Sequence, residues 1–378
     1  MYEEQRMILR MIEEGKLTAE EGATLLKALS ESTKSPDSES EPPEDPWVRL
    51  EKMGEDFATK VEAAAERFSR SLEHSVGDKL SKLPKILAKF PFFGAEESHE
   101  FTTVTKGMVG PGEVIGVRLK NPNGSIKVLG WSETGYELKM VQRLRGGERE
   151  RLETRLYDVG WEEGAERQDF ELTLPSLDGM EITLQLMIPQ SRMYELELRA
   201  QNGALTLENL KGTSVHLESV NGSARLKSLR AHTIRGEGGN GSCEMNQVEA
   251  GLIHYRLGNG SYRASVSGAN VDLLTTNGAV NVRIDSVQGV TNYKLRTTNG
   301  AIKVSVPPDP DLGLALDLQT AVGRISTDCK TLGITRQERQ GGGSFLLAHS
   351  LDYGGKTDKL DLQASSTSGS IVLSTRDV

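Results

Sequence analysis

The sequence predicts a mainly β protein: a single-chain parallel β-solenoid, or β-helix, with coils of about 19 residues. An N-terminal α-helical hairpin and a long amphipathic helix precede it. Three observations predict this. An Asn-Gly dipeptide recurs every 19 residues, an alternating apolar pattern follows each one, and the first ninety residues carry helical spacing instead.

Residues 1–30 read as a helical hairpin. Ile8, Leu9, Met11 and Ile12 give the first helix an apolar side, and Gly15 stops it. Thr18 and Glu21 form a T-x-x-E capping box for the second helix, whose apolar side is Leu25, Leu26 and Leu29. Two short helices bury little alone, so self-association or docking on a protein partner is expected. A DNA-reading pair would need outward basic residues for phosphate contacts, and few are present.

Residues 31–46, ESTKSPDSESEPPEDP, hold four prolines, six acids and one lysine. With so little apolar surface to offset ordering entropy, they read as a disordered acidic linker. Residues 47–93 carry Leu50, Met53, Phe57, Val61, Ala64, Phe68, Leu72 and Val76 at steps of three and four, one face of a long amphipathic helix. After Gly77, Lys79, Lys82, Lys85 and Lys89 alternate with apolar residues, ending in Phe90, Phe92 and Phe93. A basic amphipathic end with aromatics suits an anionic membrane surface, so peripheral membrane contact is an expectation beside protein docking.

Residues 100–378 form the repeat domain. Asn-Gly stands at 202, 221, 240 and 259, then at 277 and 299 after steps of 18 and 22. Asn123-Gly124 is an early copy, and Val322-Gly323 and Ser368-Gly369 are degenerate ones. Leu205, Ala224, Cys243, Tyr262, Val280 and Ile302 share one slot; Leu207, Leu226, Met245, Ala264, Val282 and Val304 share the slot two residues on. Residues two apart in a strand face the same way. Both slots therefore point inward, while Thr206, Arg225, Glu244, Arg263, Asn281 and Lys303 point to solvent. Positive φ at the turn explains Gly, and stacked Asn side chains can bond along the ladder. Asn-Gly is also a hairpin signal, but hairpins do not require one matching slot pattern per turn. The segment 142–155 reads as a solvated hairpin, and 331–360 as an excursion with a glycine tip.

NPNGSIKVLGW (121–131), the stretch from LQLMIPQ to the Asn-Gly series, and the closing TSGSIVLST resemble the DUF4097 adhesin-like family. The hairpin, with its EGKLTAEEG string, resembles the SHOCT-like segment found before such domains. The resemblance implies a bacterial β-solenoid linked in some relatives to cell-envelope stress, with no catalytic residues to carry over.

The chain has 378 residues and net charge −9, which argues against a general nucleic-acid binder. No apolar run approaches a membrane span, and no secretory leader is read at the N-terminus; a cytoplasmic protein, peripheral to a membrane at most, is expected. Two cysteines cannot make a disulfide framework or a four-cysteine zinc site. Cys243 occupies an inward slot; the role of Cys329 is open. GEGGNG (Gly236, Gly238, Gly241) matches a dinucleotide-binding string but lacks its following helix. His232 and His254 fall at related positions in successive units. Asp272, Asp285 and Glu244 are outward acids in different slots. No catalytic residue, cofactor or metal is expected. The sequence supports a non-catalytic scaffold of the cell envelope. A carbohydrate-binding or carbohydrate-cleaving solenoid and a bactofilin-like polymer are the alternatives.

Overall fold

The computed structural model describes residues 98–145, 152–177, 179–329 and 332–375. The helical hairpin, the acidic linker and the amphipathic helix with Lys79, Lys82, Lys85, Lys89, Phe90, Phe92 and Phe93 lie outside the described residues. What is described is one large sheet system, 72% strand.

The chain opens with β1 (Ser98–Val109), β2 (Val114–Asn123), β3 (Ile126–Trp131), β4 (Gly135–Arg145), β5 (Glu166–Arg167), β6 (Phe170–Thr173) and β7 (Met180–Pro189). The repeats follow as β8 (Met193–Asn202), β9 (Leu205–Asn221), β10 (Ala224–Asn240), β11 (Cys243–Asn259) and β12 (Tyr262–Asn277). Then come β13 (Val280–Ile284), β14 (Val290–Asn299), β15 (Ile302–Ser305), β16 (Gly313–Val322), β17 (Ile325–Thr327), β18 (Leu332–Gln340), β19 (Gly343–Ser350), β20 (Lys359–Ser368) and β21 (Ile371–Ser374).

Strands β9 to β12 pair in parallel, residue on equivalent residue. Ala224 faces Leu205 and Cys243, Cys243 faces Tyr262, and Asn240 faces Asn221 and Asn259. The slots read from the sequence are thus neighbours in a solenoid-like stack. Their side chains are buried to within 3% exposure, from Leu205 to Ile302 and from Leu207 to Val304. Val215, Ile234, Ile253, Val271 and Tyr293 close the core from the other side. Each such side chain contributes about 1.5–3 kcal/mol by leaving water. Volumes compensate between coils: a Cβ on Gly236 would overlap the Tyr255 ring, so Gly236 makes room for it. Tyr255 meets Tyr262 edge-to-face at 6.1 Å, and the Tyr262 hydroxyl donates to the carbonyls of Tyr255 (2.8 Å) and Leu274 (2.9 Å).

The Asn-Gly edge is continuous. Each asparagine donates from Nδ2 to Oδ1 of the one before it, from Asn202 on Asn123 (3.1 Å) through Asn221, Asn240, Asn259 and Asn277 to Asn299 (2.8 Å). The glycines are needed mainly for close approach. A Cβ on Gly203, Gly222, Gly241, Gly260, Gly278 or Gly300 would overlap the carbonyl oxygen of the preceding corner glycine. Positive φ occurs at the corner glycines Gly124 (125°), Gly241 (140°), Gly278 (157°), Gly323 (157°) and Gly369 (155°) but is not shared by Gly203 or Gly222. Positive φ, expected from the sequence, thus holds at part of the corners, and close approach holds at all of them.

Chain order and stacking order part company at both ends. Asn123 sits directly on Asn202, so β2–β3 adjoins β8–β9, and β6 and β7 from the intervening residues extend the stack on the other side, β6 on β2 and β7 on β3. Ser368 sits between Asn299 and Val322, so β20–β21 inserts between β14–β15 and β16–β17. Both ends also carry antiparallel strands: β1 on β4, β4 on β7, β19 on β16 and β18 on β19. Of the segment 142–155, read from the sequence as a solvated hairpin, residues 146–151 lie outside the described residues, and its flanks are partly buried. Gln142, Leu144 and Leu152 are buried, and Gln142 brackets Tyr157 with bonds to its N–H (2.8 Å) and carbonyl (2.9 Å). Tyr136 meets Trp161 and Phe170 edge-on at 5.9 and 5.0 Å at this end, and Trp161 lies tilted against Phe170 at 5.9 Å.

Candidate functional site

Two edges join the strand halves of each coil, the Asn edge and a bend opposite it. That bend has its own ladder. Asn209, Ser228 and Gln247 all take left-handed φ, at 56°, 50° and 54°. They lie 19 apart, and Ser228 Oγ donates to Gln247 Oε1 at 3.3 Å. Ser and Gln rarely adopt this conformation, so pairing on either side imposes it. The next coil drops a residue here, with the register shifting between Met245 and Val248, which accounts for the step of 18 from Asn259 to Asn277. The later step of 22 accommodates the loop between β13 and β14.

Two open hollows, about 1060 and 730 Å³, run beside this bend. The row Lys211, Arg230, Glu249 and Ser267 forms the ridge between them. Arg230 Nε reaches Glu249 at 2.7 Å, and Ser267 and Ser286 share a hydrogen bond of 2.9 Å. The lining is hydroxyl, amide and charge, a surface suited to polar contact.

The acids of the sequence analysis are placed apart. Glu244 faces out from the first half of its coil, near Arg225 at 3.8 Å. Asp272 faces out from the opposite half, held by Arg296 at 2.9 and 3.1 Å and by His254 Nδ1 at 3.3 Å. Asp285 lies at the bend and accepts from Ser265 Oγ at 2.6 Å. The two histidines do not stack: His254 is level with Arg235 and Asp272, whereas His232 lies at the bend, lining the smaller hollow. Among the described residues no group of three metal-binding side chains occurs. In GEGGNG, Gly236 clears Tyr255, Gly238 clears Leu257 and Gly241 turns the corner, so core packing and the turn account for all three glycines.

Cys243 is fully buried, and burial pushes its thiol well above the ordinary range. Cys329 is half-buried and also raised, burial again being the main cause. Among the described residues no helix is long and apolar enough to cross a membrane.

A stacked, repeating β-protein with polar lateral faces is the class these features define. Residues 165–344 match the family model described as Toastrack DUF4097, and residues 3–34 match a SHOCT-like domain. Both matches fall on the two families that the sequence resembles. It is also similar to a crystal structure from Clostridium sporogenes described as a "putative cell adhesion protein". Identity is 11% over 74% of this chain and 99% of that one, with a TM-score of 0.22. No curated protein matches the chain.

The sequence reading missed the left-handed bend, because Asn209, Ser228 and Gln247 share a position but no residue type. It found the outward row containing Arg225 and Arg263 but did not weigh its charge.

Proposed function

We propose that this chain is a non-catalytic, adhesin-like scaffold of the bacterial cell envelope, its coil stack a parallel β-solenoid and residues 1–93 its means of oligomerising or docking. One observation carries the reading. The Asn ladder and the in-register coils hold long rows of outward side chains at fixed strand spacing, a rigid platform for a partner. The DUF4097 match points the same way. The polymer alternative meets β1 at one end and the β18–β19 hairpin at the other, and these antiparallel strands favour discrete particles over end-to-end stacking.

Light scattering tests the assembly half. The full chain should form a defined oligomer that a chain beginning at residue 95 does not. Monomers in both cases would remove oligomerisation from the reading. Flotation with anionic liposomes tests the basic segment: changing Lys79, Lys82, Lys85 and Lys89 to Glu should abolish co-flotation, and unchanged flotation would remove membrane contact through it. Filaments of the purified protein in electron micrographs would favour the polymer instead.

A further inference from the structure

The lateral face built from the segments after each Asn-Gly corner carries an ordered row of positive charge. Following strand partners across β4, β7, β3, β9, β10, β11, β12, β13 and β15, the outward residues are Lys139, Gln185, Lys127, Thr206, Arg225, Glu244, Arg263, Asn281 and Lys303. A cation stands on every second strand. Strands lie about 4.8 Å apart, so the cations step by ~9.6 Å and the five span ~38 Å. Lys127, Arg225, Arg263 and Lys303 are exposed.

These cations are also underused within the domain. Among the described residues Lys139, Lys127, Arg263 and Lys303 have no ion pair, and Arg225 has only the loose contact with Glu244 at 3.8 Å. In the neighbouring row Lys227 is tied to Glu208 at 2.7 Å and Arg283 to Asp285 at 3.2 Å. A shallow hollow of about 310 Å³ opens between Arg263, Arg283 and Lys303, with Asn281 beside them, large enough to seat an acidic group. The opposite face differs: Glu218, Glu237 and Asp272 are interspersed with Arg235, Arg256 and Lys294. In a chain of net charge −9, one straight row of five cations against a single acid is not average surface.

We infer that this row is a binding track for a linear anionic polysaccharide carrying one acidic group per disaccharide. The cation step is about the length of a disaccharide, and the row is one-dimensional. A flat membrane would be met by charges spread over both rows, whereas the free ones keep to one. Of the four residues between the cations, Thr206, Gln185 and Asn281 supply neutral hydrogen-bonding groups for sugar hydroxyls, and the fourth, Glu244, faces Arg225 at 3.8 Å, leaving the row with a net charge of +4. The inference deepens the scaffold reading by naming a ligand, and rests on it in treating the face as a platform.

Hyaluronan, with one carboxylate per disaccharide, is the probe, and its affinity for the full chain is measured by calorimetry at two salt concentrations. Binding should weaken with salt. The triple variant Lys127→Glu, Arg263→Glu, Lys303→Glu should lose at least tenfold in affinity; Arg235→Glu, Arg256→Glu, Lys294→Glu, with the same charge change on the other face, should stay within twofold. Circular dichroism checks the fold, and Lys→Gln and Arg→Gln versions at the same positions replace any variant that fails to fold. Absence of binding, or equal loss in both variants, overturns the inference. Phosphatidylglycerol vesicles binding through the same three residues while hyaluronan does not would also overturn it, in favour of a lipid face. Particle mass is read separately, so failure here leaves the assembly test of the scaffold standing.

Discussion

Replacing Gly222 with alanine tests the close-approach account of the corners. The added methyl overlaps the Gly203 carbonyl oxygen and comes to 2.9 Å from Ser219 Oγ. Backbone cannot yield without parting the coils. Two bonds join them nearby, Gly203 N–H to Asn221 O (3.0 Å) and Asn221 Nδ2 to Asn202 Oδ1 (3.0 Å), and Gly222 N–H to Asn240 O (2.9 Å) ties the same corner to the following coil. At about 0.5–1.5 kcal/mol each, disturbing all three costs about 1.5–4.5 kcal/mol. Gly342→Ala is the control, since its Cβ would meet nothing within 4 Å, and it should stay within about 0.5 kcal/mol of the parent. Urea unfolding followed by circular dichroism reads the difference as a shift in midpoint. Two equal midpoints would refute the argument that the corner glycines are there for contact.

Asn240→Ala removes two side-chain bonds and should cost about 1–2 kcal/mol, whereas Asn299→Ala breaks one Asn–Asn bond and should cost about half as much; equal costs in urea would deny the ladder its role. Burial raises the folded-state pKa of Tyr194, Tyr255, Tyr262 and Tyr293 above the unfolded value near 10, so their stabilisation is complete below that pH and is lost as pH climbs through the folded values. Their tyrosinate absorbance should appear together with loss of the strand signal, and smooth titration in a folded protein would contradict this. Cys243 should resist a thiol reagent at pH 8 until urea is added while half-buried Cys329 reacts first, and the reverse order would misplace Cys243.

The period of the stack was legible because each coil must repeat the same inward slots. Leu205, Ala224, Cys243 and Tyr262 are unlike in size, yet they line up because the Asn-Gly corners fix the register. The bend at Asn209, Ser228 and Gln247 was not legible, since left-handed backbone imposed by neighbours leaves no residue signature. Nor was the end topology. Asn123 and Asn202 are neighbours across 79 residues, and nothing local in the intervening sequence encodes that. The outward charges could be read by stacking the units, as Arg225, Arg263 and Lys303 already shared one column in the sequence.

The intercalation of β20–β21 has a bearing on synthesis. Until residues 359–374 emerge, the row at Asn299 lacks its lower neighbour and the coil at Val322 has nothing to rest upon. A nascent polypeptide interrupted before that point displays an open edge where strands from another copy could add. The final threads therefore act as a clasp, and a ribosome that stalls early delivers a product primed for aggregation and clearance rather than a shorter working rod.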